Sequence, residues 1–131
     1  MFEIKANALT HFQLTWNTEQ NLFNKPQDNW QKHRDKLVNA LPGIGYAKTS
    51  FALEMIYPNE AECLCLDRHM LKAFGFTDVN STVSKEQYYH YENYWLDHAK
   101  AFRVPAVISR NIFWDQIQNQ TNSLYWASSL L

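Results

Sequence analysis

Two stretches of this sequence combine residue types that could do chemistry, and the first is a glycine turn at 41–45. It reads Leu-Pro-Gly-Ile-Gly and stands between two segments with helical spacing. Gly43 and Gly45 predict a tight turn that buries Ile44 in the core. The backbone N–H groups that begin the next helix should then face outward, and such groups bind anions together with the helix dipole. The turn therefore predicts a phosphate site, with a glycine-capped helical hairpin that binds no ligand as the alternative.

The second stretch, Leu-Asp-Arg-His-Met at 66–70, contains a carboxylate at the start of a predicted helix. A carboxylate held near a reacting atom can stabilise positive charge that develops there in a transition state. It can also orient or deprotonate a nucleophile. Asp67 is therefore the candidate catalytic residue, with a simple helix N-cap as the alternative. His69 is expected to be a structural, hydrogen-bonding side chain.

Together these stretches resemble the helix-hairpin-helix DNA glycosylase superfamily, whose pattern is Leu-Pro-Gly-Val/Ile-Gly, a helix, and Val/Leu-Asp-x-His. The resemblance covers about residues 28–74. It implies a hairpin that binds the DNA backbone, often with a monovalent cation held by its carbonyl groups, and a catalytic aspartate that corresponds to Asp67. The residues expected to contact DNA are Gly43, Ile44, Gly45, Tyr46, Lys48 and Arg68.

Lys48 is the second candidate catalytic residue. Bifunctional members of the superfamily carry a nucleophilic lysine two residues after the second hairpin glycine, where this sequence has Ala47. A shift of one residue turns a side chain by about 100° around a helix. We therefore expect a monofunctional enzyme that uses water as the nucleophile, with Lys48 contacting a phosphate. If the helix begins one residue later, Lys48 could instead form a Schiff base.

Further candidates come from aromatic and basic side chains. Tyr89 and Tyr94 lie off the packed stripe of their predicted helix, so they are candidates to stack a flipped base, with core packing as the alternative. Basic residues that could contact phosphates, or simply be solvated, are Arg68, Lys72, Arg103 and Arg110.

These residues must be positioned by helices, because the chain has only three Gly and four Pro in 131 residues. We expect a single all-α domain, 1–131, of six or seven helices. Helices are predicted over Ala6–Phe23, from Pro26 to Leu41, over Tyr46–Tyr57, from Asp67 to Phe74, from Ser84 to about Phe102, from Pro105 onward, and over Ser123–Leu131. Cys63–Leu66 is expected to be a buried connector, and a capping box is expected at Ser84 and Gln87.

The helix over Tyr46–Tyr57 is predicted to be largely buried, with a broad apolar surface formed by Ala47, Phe51, Ala52, Met55 and Ile56. Three further helical faces are predicted to pack inward. The first consists of Trp30, His33 or Arg34, Leu37, Val38 and Leu41. The second consists of Tyr88, Tyr91, Trp95, His98 and Phe102, and the third of Ile108, Ile112 and Ile117.

Composition limits the partners. Twelve basic against thirteen acidic residues give a net charge of -1, so any contact with nucleic acid must be local. Cys63 and Cys65 are too few for an iron–sulfur cluster and too close for an ordinary disulfide, which favours a reducing, cytoplasmic setting. No apolar run approaches the roughly 20 residues that cross a bilayer. We expect a monomer that binds DNA, not membranes, and requires no cofactor.

The sequence thus predicts an enzyme that hydrolyses the N-glycosidic bond of a damaged or modified base, with Asp67 as the key carboxylate. One alternative is a helix-hairpin-helix module that binds DNA without catalysis. Another is a base-modifying relative, because some proteins of phage thymine hypermodification resemble the superfamily. An open, base-sized cleft beside Asp67 would favour an enzyme, whereas a carboxylate sealed in a cap would favour the binding module.

Overall fold

The computed structural model describes residues 6–7, 9–10, 13–14, 20–27, 29–76 and 82–119. The regular secondary structure of these residues is entirely helical, which confirms the all-α prediction for this part of the chain. After a short 3-10 helix, Gln20–Phe23, come five α-helices that we number α1 Trp30–Ala40, α2 Tyr46–Ile56, α3 Arg68–Ala73, α4 Lys85–Ala101 and α5 Ala106–Ile117.

The two terminal helices of the prediction fall partly or wholly outside the described residues. In the first, Ala6–Phe23, the pairs 6–7, 9–10 and 13–14 are helical. The last, Ser123–Leu131, lies outside the described residues altogether.

Helix α1 begins later than its proline predicts. Asn29 has an extended backbone, and its Oδ1 accepts a hydrogen bond from the backbone N–H of Lys32 at 2.9 Å. This side chain supplies one of the acceptors that the first turn of a helix lacks, so the helix begins at Trp30 and not near Pro26. At the other end the Leu41 N–H bonds to the Leu37 carbonyl, and the helix stops before the glycine turn as predicted.

Local capping signals set the remaining boundaries. The Ser84 Oγ accepts from the Gln87 N–H at 3.2 Å, and the Gln87 Oε1 accepts from the Ser84 N–H at 3.0 Å, which confirms the predicted capping box of α4. Gly75 has a φ of 87°, and the next residue, Phe76, donates back to the Leu71 carbonyl at 3.0 Å. This left-handed glycine ends α3 where predicted.

The core is built around the connector Cys63–Leu66, whose four residues are all buried. The buried cluster draws on every α-helix and on the connector: Trp30, Leu37, Leu53, Ala61, Cys63, Leu64, Leu66, Met70, Tyr88 and Val107. Helices α1 and α2 pack against each other across the turn, and α5 contacts both α3 and α4. The connector therefore occupies the centre of the bundle and fixes where α3 starts.

Three of the predicted inner faces need correction. Helix α2 is not largely buried, because Phe51, Met55 and Ile56 are exposed. On α4 the packed stripe ends at Trp95, because His98 is exposed and Phe102 is 76% exposed. On α5 Ile108 is buried but Ile117 is exposed. The positions that α4 and α5 bury instead are the apolar Val107, the small Ala99 and four polar residues, Glu92, Arg110, Asn111 and Asp115. The apolar periodicity missed Glu92 and Arg110 because each is buried against an oppositely charged partner on another helix, Arg34 and Glu54.

Candidate nucleic-acid interface

The glycine turn joins α1 to α2 at the surface. Gly43 has a φ of 83°, a conformation that favours glycine, whereas Gly45 has a φ of -87° that any residue can adopt. A Cβ added to Gly45 would meet nothing within 4 Å. Ile44 is half-buried and lies outside the core cluster, so the predicted burial of Ile44 is wrong. The reason is that Pro42, Gly43 and Gly45 are all exposed, which places the turn on the surface.

The start of α2 leaves backbone N–H groups free. The Thr49 N–H donates to the Gly45 carbonyl at 3.1 Å and makes the first turn of the helix. The N–H groups of Tyr46, Ala47 and Lys48 therefore precede the first intrahelical acceptor. Gly45 has no side chain to cap them, and this is the arrangement that the sequence predicts for a phosphate site.

Beside this helix start lies a groove of about 370 Å³ between the hairpin, α3 and the start of α4. Four of the six residues expected to contact DNA line it: Gly45, Tyr46, Lys48 and Arg68. Gly43 and Ile44 do not belong to its lining. The other lining residues are Ala47, Leu71, Lys72, Phe76, Thr82, Val83 and Tyr88. The fold thus brings together residues that are up to 43 positions apart in the sequence (45 to 88).

The groove is positively charged. Lys48, Arg68 and Lys72 line it and are all exposed, and none of the lining residues that the structure describes is acidic. None of these three cations forms an ion pair with a described residue, whereas Lys25, Arg34, Lys85 and Arg110 do. Within the described part of a chain of net charge -1, three exposed cations are therefore concentrated at one place.

Behind two tyrosines of the groove lies a buried cation, Arg34. Its guanidinium carbon is 5.3 Å from the ring centroid of Tyr46 and 5.0 Å from that of Tyr88. The side chain has no exposed surface, and its Nη1 pairs with Oε2 of Glu92. Burial alone would lower the pKa of Arg34, but the charge and hydrogen bond of Glu92 outweigh it and raise that pKa. Arg34 therefore remains charged directly beneath the aromatic wall of the groove.

Buried carboxylates hold the backbone of the connector. The Leu64 N–H donates to Oε2 of Glu92 at 2.7 Å, and the Cys65 N–H donates to Oε1 of Glu54 at 2.7 Å. The Leu66 N–H donates to the Tyr88 hydroxyl at 3.0 Å, and that hydroxyl donates to the Leu64 carbonyl at 2.6 Å. Three successive amides are thus satisfied by three side chains, so the connector needs no neighbouring strand.

Glu54 has its own guanidinium partner. Arg110 donates from Nε to Oε1 at 2.7 Å and from Nη2 to Oε2 at 2.5 Å. Burial raises the pKa of Glu54, and the charge of Arg110 opposes that rise. Because Arg110 is buried in this bidentate pair, its prediction as a phosphate contact is wrong. Arg103 is exposed but does not line the groove.

Asp67 is the N-cap of α3, which confirms the alternative interpretation of its local role. Its Oδ1 accepts from the Met70 N–H at 2.9 Å, and its Oδ2 accepts from the indole N–H of Trp114 at 2.8 Å. The side chain is half-buried and does not line the groove, although the next residue, Arg68, does. His69 is exposed, and its ring meets Trp114 edge-on at 6.2 Å.

The two tyrosines predicted to stack a base lie elsewhere. The Tyr89 hydroxyl donates to Oδ2 of Asp35 at 2.5 Å, and Tyr94 is exposed with its ring 4.2 Å from that of His98. Neither lines the groove, whose aromatic side chains are Tyr46, Phe76 and Tyr88. The sequence does not predict Phe76 and Tyr88 as groove residues. The spacing of Tyr88 predicts a core residue, and no local signal marks Phe76.

No family model matches the sequence, and no curated protein or solved structure matches it either. None of the helices in the described ranges is long and apolar enough to cross a membrane. The features that indicate a function are therefore the motif at 41–45 and 66–70 and the geometry of the groove.

Proposed function

We propose that this protein binds DNA, and that the groove beside the start of α2 contacts the phosphate backbone. The observation that carries the proposal is the convergence of Tyr46, Lys48 and Arg68 on one groove, in which none of the described lining residues is acidic. The motif at 41–45 and 66–70 predicts these same residues as DNA contacts. Phosphate oxygens are bound in proteins by lysine, arginine and the N–H groups of helix N-termini, and the groove offers all three.

We further propose that the hairpin carbonyl groups can hold a monovalent cation, as the resemblance implies. Among the carbonyl groups of 41–45, those of Leu41 and Gly45 accept backbone N–H groups within the hairpin. Those of Pro42, Gly43 and Ile44 have no backbone donor among the described residues and are hard oxygen ligands. A cation bound there would add positive charge next to the phosphate.

Binding should be electrostatic and local. With three cations at the groove, the slope of log K against log salt should lie near -2 to -4, at about 0.9 per neutralised phosphate. Replacing Lys48, Arg68 and Lys72 together with alanine should weaken binding to duplex DNA at least about tenfold and reduce the magnitude of the slope by about 2 to 3. Fluorescence anisotropy of a labelled duplex over a salt series measures both.

A matched control removes the same amount of charge elsewhere. Lys32, Lys36 and Lys100 are exposed and lie outside the groove. Their triple alanine variant should keep most of the affinity for DNA. Its slope of log K against log salt should change less than that of the groove variant. If the two triple variants lose affinity equally, the groove is not the DNA-binding site.

Base excision by Asp67 is a second candidate function, and one observation favours it. Two N–H donors fix the Asp67 carboxylate in one orientation, half-exposed, one residue before Arg68 in the groove. Each oxygen keeps a further lone pair, so the carboxylate could stabilise a sugar cation or orient a water molecule. The capped carboxylate outside the groove agrees better with a binding module, which is why DNA binding is the leading proposal.

A further inference from the structure

The groove contains more than a phosphate requires. One wall is apolar and consists of Leu71, Phe76 and Val83, all half-buried, together with the buried ring of Tyr88. A DNA backbone would contact the cations and leave this wall exposed to water. Pockets for small molecules usually span roughly 300–1,000 Å³. At about 370 Å³ the groove falls at the lower end of that range, a size that suits one nucleotide.

The charge of the groove also exceeds what one phosphodiester needs. Lys48, Arg68 and Lys72 meet the free N–H groups of α2 at the same groove. A phosphodiester carries one negative charge, whereas a phosphomonoester carries about 1.5 to 2 at neutral pH. Three cations around a space of one nucleotide therefore match a monoester better than an internal backbone phosphate.

Arg34 is an independent observation at the same place. It is fully buried, it lies behind both Tyr46 and Tyr88, and its Nη2 has no hydrogen-bond partner among the described residues. A buried cation usually has all its donors satisfied. Its charge is paired with Glu92, and its contact with both rings holds the aromatic wall in place.

From these features we infer that the groove binds a nucleotide with a terminal phosphomonoester, in which the base or sugar packs on Leu71, Phe76 and Val83 and the phosphate contacts Lys48, Arg68 and Lys72. This inference rests on the proposed function, because it uses the groove that we assign to DNA. The same chemistry is offered by a free nucleoside monophosphate and by the phosphorylated end of a DNA strand.

Calorimetry with thymidine 5′-monophosphate, thymidine and inorganic phosphate tests the ligand chemistry. The monophosphate should bind at least tenfold more tightly than either of its parts, because only it contacts both walls. The Lys48→Ala, Lys72→Ala variant should lose this preference, and Val83→Asn should weaken the monophosphate but not inorganic phosphate. The Lys32→Ala, Lys36→Ala variant is the matched control and should bind like the wild type. Equal binding of thymidine and its monophosphate, or binding of neither, would overturn the inference.

Oligonucleotides distinguish the two sources of the ligand and separate this inference from the proposed function. If strand ends are bound, a strand with a 5′-phosphate should compete with thymidine 5′-monophosphate at least tenfold better than the same strand with a 5′-hydroxyl. A preference for the free monophosphate alone would assign the groove to free nucleotides. Closed circular duplex DNA has no ends and tests only the proposed function. If it binds through Lys48 and Lys72 while no monoester is preferred, the inference fails and the function stands. If closed circular DNA does not bind but the monophosphate does, the proposed function fails and the inference stands.

Discussion

The indole N–H of Trp114 donates a hydrogen bond to Oδ2 of Asp67 at 2.8 Å. This bond ties α5 to the N-cap residue of α3 across 47 positions of sequence. The other carboxylate oxygen caps α3 through Met70, so both oxygens of Asp67 are oriented by the fold. The protein itself therefore holds the Asp67 side chain in one position.

Replacing Trp114 with phenylalanine should destabilise the protein more than the same change at Trp95. Trp114 donates to a carboxylate, whereas Trp95 donates to the neutral hydroxyl of Ser109 at 3.1 Å. Hydrogen bonds to charged groups contribute about 1.5–3 kcal/mol, against about 0.5–1.5 kcal/mol for neutral pairs. Urea unfolding of both variants measures the difference. Equal free energies of unfolding would mean that the Asp67 bond is not special.

Gly43→Ala should destabilise the protein and Gly45→Ala should not. Only Gly43 has a positive φ, where a side chain costs about 1 kcal/mol or more, while the Cβ position of Gly45 is open. Thermal or urea unfolding gives the stability of each variant, and DNA binding by folded Gly45→Ala shows whether the bare backbone matters for ligand approach. A loss of stability at Gly45 as large as that at Gly43 would contradict the turn geometry.

Asp67→Asn tests the excision candidate. If the carboxylate acts on positive charge in the transition state, the single-turnover rate of base removal should fall about 10²-fold or more while DNA affinity changes by less than a few-fold. The amide retains an oxygen that can cap α3, so the fold should persist. A panel of duplexes with one altered base each supplies substrates, and Asp97→Asn on the exposed face of α4 is the control. Unchanged excision by Asp67→Asn would remove Asp67 from catalysis.

Borohydride trapping tests the role of Lys48. Helix α2 begins at Tyr46 with Gly45 as its N-cap, so it does not begin one residue later. The gapless alignment therefore still puts Ala47 at the position where bifunctional members carry the lysine. We expect no covalent adduct with DNA from the wild-type protein, because Schiff-base chemistry needs an amine at that position. Lys48→Ala should weaken DNA binding modestly. An adduct that disappears in Lys48→Ala would instead show a bifunctional enzyme.

The two cysteines should resist alkylation in the folded protein. Burial raises the pKa of the Cys65 thiol to about 12 and that of Cys63 further still. Only the thiolate reacts, so labelling with iodoacetamide at pH 8 should proceed only through unfolding, and urea should accelerate it. Both folded pKa values lie above the unfolded value of 9.0. The contribution of the two neutral thiols to the free energy of unfolding is therefore full below pH 9.0 and is lost as the pH rises above it. Rapid labelling without denaturant would contradict the burial of the connector.

Local sequence determined the helix boundaries that involve neighbouring residues. The capping box at Ser84 and Gln87 joins residues three apart, and the left-handed Gly75 follows the end of α3 directly. The glycine before α2 and the proline after it likewise predict its limits, Gly45 and Tyr57. Where two local signals competed, as at Pro26 and Asn29, the hydrogen-bonding side chain set the start of the helix. These signals work because their energies depend on a few adjacent dihedral angles.

The tertiary structure alone decided which charged groups are buried and which form the groove. Arg34 and Glu92 are 58 residues apart, and Glu54 and Arg110 are 56 apart, so neither pair leaves a local pattern. From sequence, Arg110 and Lys72 are equivalent basic residues, but Arg110 is paired inside the core, and Lys72 lines a groove in which no described residue is acidic. Arg34 and Arg110 are buried against opposite charges that the fold supplies, and those partners come from distant helices. The sequence predicts Lys48 and Arg68 as DNA contacts, and the tertiary structure brings α3 and the start of α2 to one groove.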